Sequence, residues 1–387
     1  MKIVLIIILS LFVSSCEKKE INNNDVLSKN TDLLVYESYE IDNLITLKEG
    51  ITLENNDVFI PKKIGENKYT IKYKKDNKIK EKELIFNVVD NTPPKVFGGT
   101  NKTVLLNYDK NLCDLIVYGD NYDKKPKCEI TGEYDLQKEG TYKLLYKLTD
   151  QSNNLKEVNV TLNIVKEYKK NNTPTEKKVT NFSEVYKEHK KENTEIGIDV
   201  SKWQGNIDFE KVASANASFV MIRIGVQTKQ NGELSLDKYY LENIKKAKEA
   251  GLKVGVYLYS IATSEKEAID HADWVVNELN GETLDLPITF DWENWSKWNS
   301  YNMSFYDINN IANSFIKRVE EKGYKGMLYS SKFYLENIWE NENNNTVWLA
   351  HYTTKTNYQD SYMIWQLCNN GKIDGINGNV DIDILYK

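Results

Sequence analysis

The chain has 387 residues, too many for one ordinary globular domain, so two or three folded units are expected. A formal net charge of -6, with no long basic face carrying interleaved aromatics, argues against nucleic acid as a partner. The 25 Tyr and 8 Trp suit a carbohydrate ligand, because an aromatic face offers apolar area to the C–H faces of a pyranose, although core packing accounts for most such residues.

In chain order, Lys2 precedes an apolar run over 3–13, then Ser14, Ser15 and Cys16. The run is too short to span a bilayer comfortably and reads as an export signal. Val13-Ser14-Ser15-Cys16 resembles the lipobox of bacterial lipoproteins, which implies lipidation of Cys16 and an exported protein anchored at the bacterial membrane or surface. A plain secretory signal with a chance cysteine is the alternative. Residues 1–16 are therefore assigned to the signal and lipobox, and 17–31 to a polar tether.

Segments 65–74 and 139–147 echo one another, and each leads through a polar turn into a second alternating strand, ending at 86–90 and 162–166. Period-2 alternation predicts antiparallel sheets with one buried face, hence two small all-β sandwiches over 32–90 and 91–165. The second, with Pro93-Pro94, Asp120-Asn121 and Gly140-Thr141-Tyr142, resembles bacterial immunoglobulin-like surface modules, which implies a spacer or adhesive role. Cys113 and Cys128 flank a turn-rich stretch and are a candidate disulfide in an exported chain; Cys368 has no evident mate and is expected as a buried thiol. Residues 166–194, rich in Lys, Glu, Asn and Thr, read as an extended linker, partly helical near 182–191.

From 195 to 387 short apolar strands alternate with amphipathic helices. Strands are predicted at 196–201, 219–225, 253–260, 287–293, 325–331, 346–352, 362–368 and 380–386. Helices are predicted at 236–250, 265–280 and 305–322, each ending at a glycine, and Ser264 with Glu267 makes a capping box for the second. Eight strands with intervening helices predict an α/β barrel, irregular where the last three strands are joined by connections too short for full helices.

Barrel enzymes gather reactive side chains at strand C-termini, which selects Asp199, Asp291, Glu293 and the aromatic cluster around Tyr352. Residues i and i+2 of a strand share a face with Cα atoms about 6.5 to 7 Å apart, so Asp291 and Glu293 are expected in one cleft. Carboxylates that close raise one another's proton affinity, and one protonated beside one ionised is the division that glycoside hydrolysis needs. Rival chemistries lack parts. The three histidines are far apart in sequence, no Cys or His stands at ligand spacing, and there is no Gly-x-Ser-x-Gly elbow, P-loop or dinucleotide fingerprint; no metal or cofactor is expected.

The motifs Ile198-Asp199-Val200-Ser201-Lys202-Trp203-Gln204-Gly205, Val220-Met221-Ile222-Arg223, Gly255-Val256-Tyr257, Pro287-Ile288-Thr289-Phe290-Asp291-Trp292-Glu293, Trp348-Leu349-Ala350-His351-Tyr352, Trp365-Gln366 and Val380-Asp381-Ile382-Asp383 occur in order. Together they resemble glycoside hydrolase family 25 over 195–387. The resemblance implies a flattened barrel of five β/α units plus three strands. It also implies a retaining muramidase that cuts peptidoglycan glycan strands between N-acetylmuramic acid and N-acetylglucosamine; the sequence leaves the oligomeric state open, with a monomer expected. It casts Glu293 as general acid/base and Asp291 as its partner, either orienting the substrate's N-acetyl group or stabilising the cationic intermediate, with Asp199 and Asp381 as two further acids. Tyr257, Tyr352, Arg223, Trp348, Gln366 and Trp292 are the implied substrate-binding residues, although Arg223 reads equally well as a counter-charge for buried carboxylates. Trp295 and Trp298 either line a sugar subsite or pack. Asp381 starts its strand, so it reaches the active rim only if the last two strands form a hairpin. Asp383 stands where the family more often has Asn, and either adds charge to the site or faces outward. A non-catalytic wall-binding or adhesive lipoprotein is the competing reading.

Overall fold

The computed structural model describes residues 25–29, 31–54, 57–169, 179–229, 232–340 and 345–387; the signal, Cys16, most of the tether and 170–178 of the linker lie outside these. The chain divides into two units, Met1–Asp90 and Asn91–Lys387.

The first unit is built on a long antiparallel hairpin of Gly65–Lys75 with Lys78–Val89. Its two-residue turn, Asp76-Asn77, has φ of 51° and 60°, the left-handed region that these side chains tolerate and that matches strand twist. Alternation places Ile71, Tyr73, Leu84, Phe86 and Val88 in the core. One expectation is corrected: Val26–Ser28, assigned to the tether, is a strand paired with Ile45–Leu47, and Val26 is fully buried, so the fold starts before residue 32.

The second unit opens with a four-stranded sheet in the order Asn101–Leu105, Leu155–Val165, Gly140–Thr149, Lys127–Thr131, the first pair parallel and the others antiparallel. Leu144, Tyr146, Leu148, Val160, Leu162 and Ile164 fill its core, and the Tyr146 hydroxyl donates to the Leu112 carbonyl. Cys113 and Cys128 are joined by a disulfide.

The linker assignment also needs correction. From Thr180 onward the chain belongs to the barrel: Thr180–Asn181 pairs with Gly371 and Lys372, and the helix Phe182–His189 buries Phe182 and Val185. The barrel strands are β1 (Thr194–Val200), β2 (Phe219–Gln227), β3 (Lys253–Tyr259), β4 (Ile288–Asp291), β5 (Gly326–Ser331), β6 (Val347–Ala350), β7 (Ile364–Lys372) and β8 (Val380–Tyr386). Neighbours from β1 to β7 are parallel, and β8 closes the ring antiparallel to both β7 and β1. Both faces of these strands are covered, which is why they read as unbroken apolar runs.

Helices α1 (Phe209–Ser214), α2 (Tyr240–Glu249), α3 (Glu265–Leu279), α4 (Phe305–Glu321) and α5 (Lys332–Asn337) follow the first five strands in turn. Ser264 caps α3 by accepting from the Glu267 amide, and Ser304 with Asp307 forms a reciprocal capping box on α4. Helix α2 starts at Tyr240 rather than 236, because Leu234–Leu236 instead pairs antiparallel with the end of β2. Likewise β4 ends at Asp291, two residues earlier than predicted.

The leading β-sheet region of this unit docks on the barrel beside β4. Phe97 meets Trp295, Trp298, Phe305 and Tyr334 with ring centroids 6.0 to 6.3 Å away. Around this aromatic joint, the Asn299 side chain donates to the Ile116 carbonyl at 2.9 Å and accepts from the Tyr118 amide at 3.2 Å, while the Phe305 amide donates to the Asp120 carbonyl at 2.8 Å.

Candidate active site

Two carboxyl groups arrive at the barrel's rim on β4. Asp291 is its last residue and is buried; Glu293 lies just past the strand end, and its side chain opens to solvent while its carboxyl stays in hydrogen-bonding contact with Asp291. Asp291 Oδ1 receives no N–H or O–H donor among the described residues. Burial, then the neighbouring Glu293, pushes Asp291 far above the usual carboxylate range, against the opposing pull of Arg223. Burial also raises Glu293. A buried carboxyl oxygen whose neighbour is another carboxyl is stable only with a proton between them.

Asp199, the penultimate residue of β1, and Asp381, the second of β8, are register partners across the antiparallel pair. The hairpin of β7 and β8 is what carries the start of the last strand to the same end of the barrel. Asp381 is half-buried, and desolvation lifts it to about 6. Asp199 is raised further, by burial first and then by Asp381 and Asp383.

Gln366 holds Asp199. Its Nε2 donates to Asp199 Oδ2 at 2.7 Å, while its Oε1 accepts from the hydroxyls of Tyr329 at 2.9 Å and Tyr352 at 3.1 Å. The two phenols thereby fix the amide's orientation, leaving its N–H for the carboxylate.

This barrel matches the family model Glycosyl hydrolases family 25 over residues 198–376, from within β1 to the connection before β8. It is a family 25 glycoside hydrolase domain, and the chain is a glycoside hydrolase. The chain is 29% identical over 193 residues to the uncharacterized protein YegX of Escherichia coli O6:H1, covering 49% of this chain and 68% of that protein. It is 28% identical over 189 residues to an autolytic lysozyme of Clostridium acetobutylicum, covering 48% and 54% respectively. Among solved structures, a family 25 glycosyl hydrolase from Bacillus anthracis aligns with 51% of this chain and 92% of its own at 21% identity and a TM-score of 0.45.

The family 25 domain distributes the expected binding residues unevenly. Tyr352 is 54% exposed and Tyr257 is half-buried, so both present surface to a ligand. Trp292 and Trp348 do not. Trp292 is fully buried, donates its indole N–H to the Ala262 carbonyl at 3.1 Å and packs on Trp295, Trp298 and Tyr301. Trp348 lies beneath the acids, edge-on to Tyr257 and Tyr329, with its N–H on Asp383. Their predicted substrate contact is corrected, since neither exposes a face.

Arg223 resolves toward its structural alternative. Its Nε and Nη2 both donate to Asp237 Oδ2, at 2.9 and 2.7 Å, and that carboxylate also accepts from the Lys202 amide at 2.9 Å. Trp295 and Trp298 pack rather than line a subsite: both are buried, and Trp295 stacks on Tyr334 at 4.1 Å. Sequence reasoning passed over Tyr329, Asp237 and Trp203, the last of which is 76% exposed on the loop after β1. The tyrosine and aspartate give no local signal because their partners come from distant strands. Trp203 stood in a motif whose aspartate drew the attention.

Proposed function

We propose that the family 25 domain is a muramidase that hydrolyses the β-1,4 bond between N-acetylmuramic acid and N-acetylglucosamine in peptidoglycan, with retention of configuration. The observation that carries this reading is the contact of the Asp291 and Glu293 carboxyls at the end of β4, facing a second acid pair, Asp199 and Asp381, across one rim. An autolytic lysozyme among the relatives supports the substrate class.

Glu293, the more solvent-open of its pair, carries the proton that goes to the leaving glycosidic oxygen; the bond from that oxygen to the anomeric carbon breaks. Asp291, anionic once the proton that the two carboxyls share sits on Glu293, either orients the substrate's N-acetyl oxygen for attack at that carbon or stabilises the cation that develops there. Glu293, now a carboxylate, takes a proton from the water that completes hydrolysis. Asp199 and Asp381 border the same space, and Tyr257 and Tyr352 supply aromatic surface and hydroxyl donors to the glycan. The Val13-Ser14-Ser15-Cys16 sequence supports export and lipid anchoring at the cell envelope through Cys16, with the β-rich modules holding the enzyme off the membrane.

The test uses the whole chain, because the aromatic joint at Phe97 ties the preceding sheet to the barrel. Purified protein is incubated with insoluble peptidoglycan and the appearance of reducing ends is followed for wild type, Glu293→Gln and Asp291→Asn. Wild-type release with loss of at least about a hundredfold in Glu293→Gln is expected. Equal rates in wild type and variant would sink the assignment.

A further inference from the structure

Asp383, on β8, points inward. It is fully buried, and Trp348 Nε1 donates to its Oδ1 at 2.8 Å. Its Oδ2 has no N–H or O–H donor among the described residues, and the Asp383 and Asp199 carboxyl groups lie within hydrogen-bonding reach of one another. The register explains this contact. Asp383 lies opposite Gly197 on β1 and Gln366 on β7, one side-chain repeat below the Asp199–Asp381 pair. Gly197 has no side chain there to intervene.

The titratable groups around Asp383 come from its neighbouring strands: Asp199 from β1, Asp381 from its own strand, and the neutral thiol of Cys368 from β7, while Glu293 beyond β4 faces Asp381 and the neutral phenol of Tyr257 on β3 faces Asp199. The Arg223 guanidinium, which acts on Asp291 and Tyr257, is already bound to Asp237. Two carboxylates in contact, both buried and with no cation paired to either among the described residues, cannot both ionise at low cost.

We propose that Asp383 is a positioning residue: it shares one proton with Asp199, and this internal O–H···O bond, with the Gln366 amide on the other oxygen, fixes the Asp199 carboxyl at the rim of the cleft. An Asn at 383 would supply a fixed N–H donor. The acid supplies a donor that can be lost, so the organised state of the rim lasts only while the pair retains its proton. Burial of both groups pushes that loss upward in pH. This inference rests on the muramidase reading only for its kinetic readout.

Two variants test it. Asp383→Asn keeps the Trp348 bond and the donor to Asp199 but cannot titrate; Asp383→Leu keeps volume and removes both. The pH profile of kcat/KM on peptidoglycan, each scaled to its own maximum, should have an alkaline limb displaced upward by about one pH unit or more in Asp383→Asn. Asp383→Leu should have a kcat on the order of tenfold below Asp383→Asn with KM little changed. A second measurement needs no turnover and does not require Asp383→Leu to fold: the infrared C=O band of a buried carboxylic acid. Raising the pH should abolish one such component in wild type that Asp383→Asn lacks throughout. Coincident alkaline limbs, or identical carboxyl bands in wild type and Asp383→Asn, would overturn the shared proton. A wild type that releases no reducing ends yet shows the band would sink the muramidase reading and leave the proton-sharing intact.

Discussion

Phe97→Ala at the joint between the leading sheet and the barrel tests whether the sheet is a structural part of the enzyme. Phe97 is 3% exposed, and four aromatic rings surround it at 6.0 to 6.3 Å. Truncating a buried Phe costs about 3 to 5 kcal/mol, from lost transfer free energy plus the cavity left where the lining cannot collapse. The lining here is itself stacked and edge-packed, so the upper half of that range is expected. The opposite perturbation is available at the same place: a Cβ at Gly119 would lie 2.5 Å from Trp298 Nε1 and 2.7 Å from a ring carbon of Phe305, so Gly119→Ala should overpack by about 1 to 3 kcal/mol. Urea unfolding followed by tryptophan fluorescence reads both, because Trp295 and Trp298 are in the joint. Both variants should also lower kcat, since the turn Trp295–Ser300 begins two residues after Glu293. A change in unfolding free energy below about 1 kcal/mol in both, with kcat unaltered, would refute the coupling of the joint to the site.

Other expectations follow from single contacts. Asp237→Ala leaves the Arg223 guanidinium buried without its carboxylate and should cost about 3 to 5 kcal/mol in urea unfolding, most of it recovered when Arg223 is also replaced by Met. Gln366→Leu removes the N–H that holds Asp199 and should lower kcat by roughly 5- to 150-fold, the value of about 1 to 3 kcal/mol for a lost buried hydrogen bond, with the far-UV circular dichroism retained. For pH and stability the sign follows from Asp381, whose carboxyl moves from an ordinary 3.8 to about 6 on folding. The folded state then binds more protons than the unfolded state between those values, so this group's contribution is full below 3.8 and is lost as pH rises through 6. Thermal melts across that window should show Asp381→Asn losing less stability with rising pH than wild type does.

The barrel was readable because each strand is buried on both faces and so forms a dense apolar run. The hairpin that brings Asp381 to Asp199 followed from the short connection before β8. What local pattern could not supply was depth. Asp291, Trp292 and Glu293 alternate faces as a strand should, yet alternation does not say that the tryptophan's side is sealed by Trp295, Trp298 and Tyr301, which belong to a turn clamped by a sheet some 200 residues earlier in the chain. Arg223 was likewise ambiguous until Asp237, brought back by the unexpected hairpin strand at Leu234–Leu236, supplied its partner. Val26–Ser28 is three residues of strand inside a polar stretch, too short for a periodic signal, and its burial depends on the strand Ile45–Leu47. Asp383 was visible as a departure from the family pattern, but its direction depended on the register of β8 against β1.

The most direct measurement of the central claim is the identity of the sugar at each newly formed reducing end. Peptidoglycan digested by the whole protein is reduced with borohydride, hydrolysed and analysed for the amino-sugar alcohols. Muramitol from wild type, and none above background from Glu293→Gln, is the predicted result; glucosaminitol in place of muramitol, or muramitol from the variant at the wild-type rate, would contradict it.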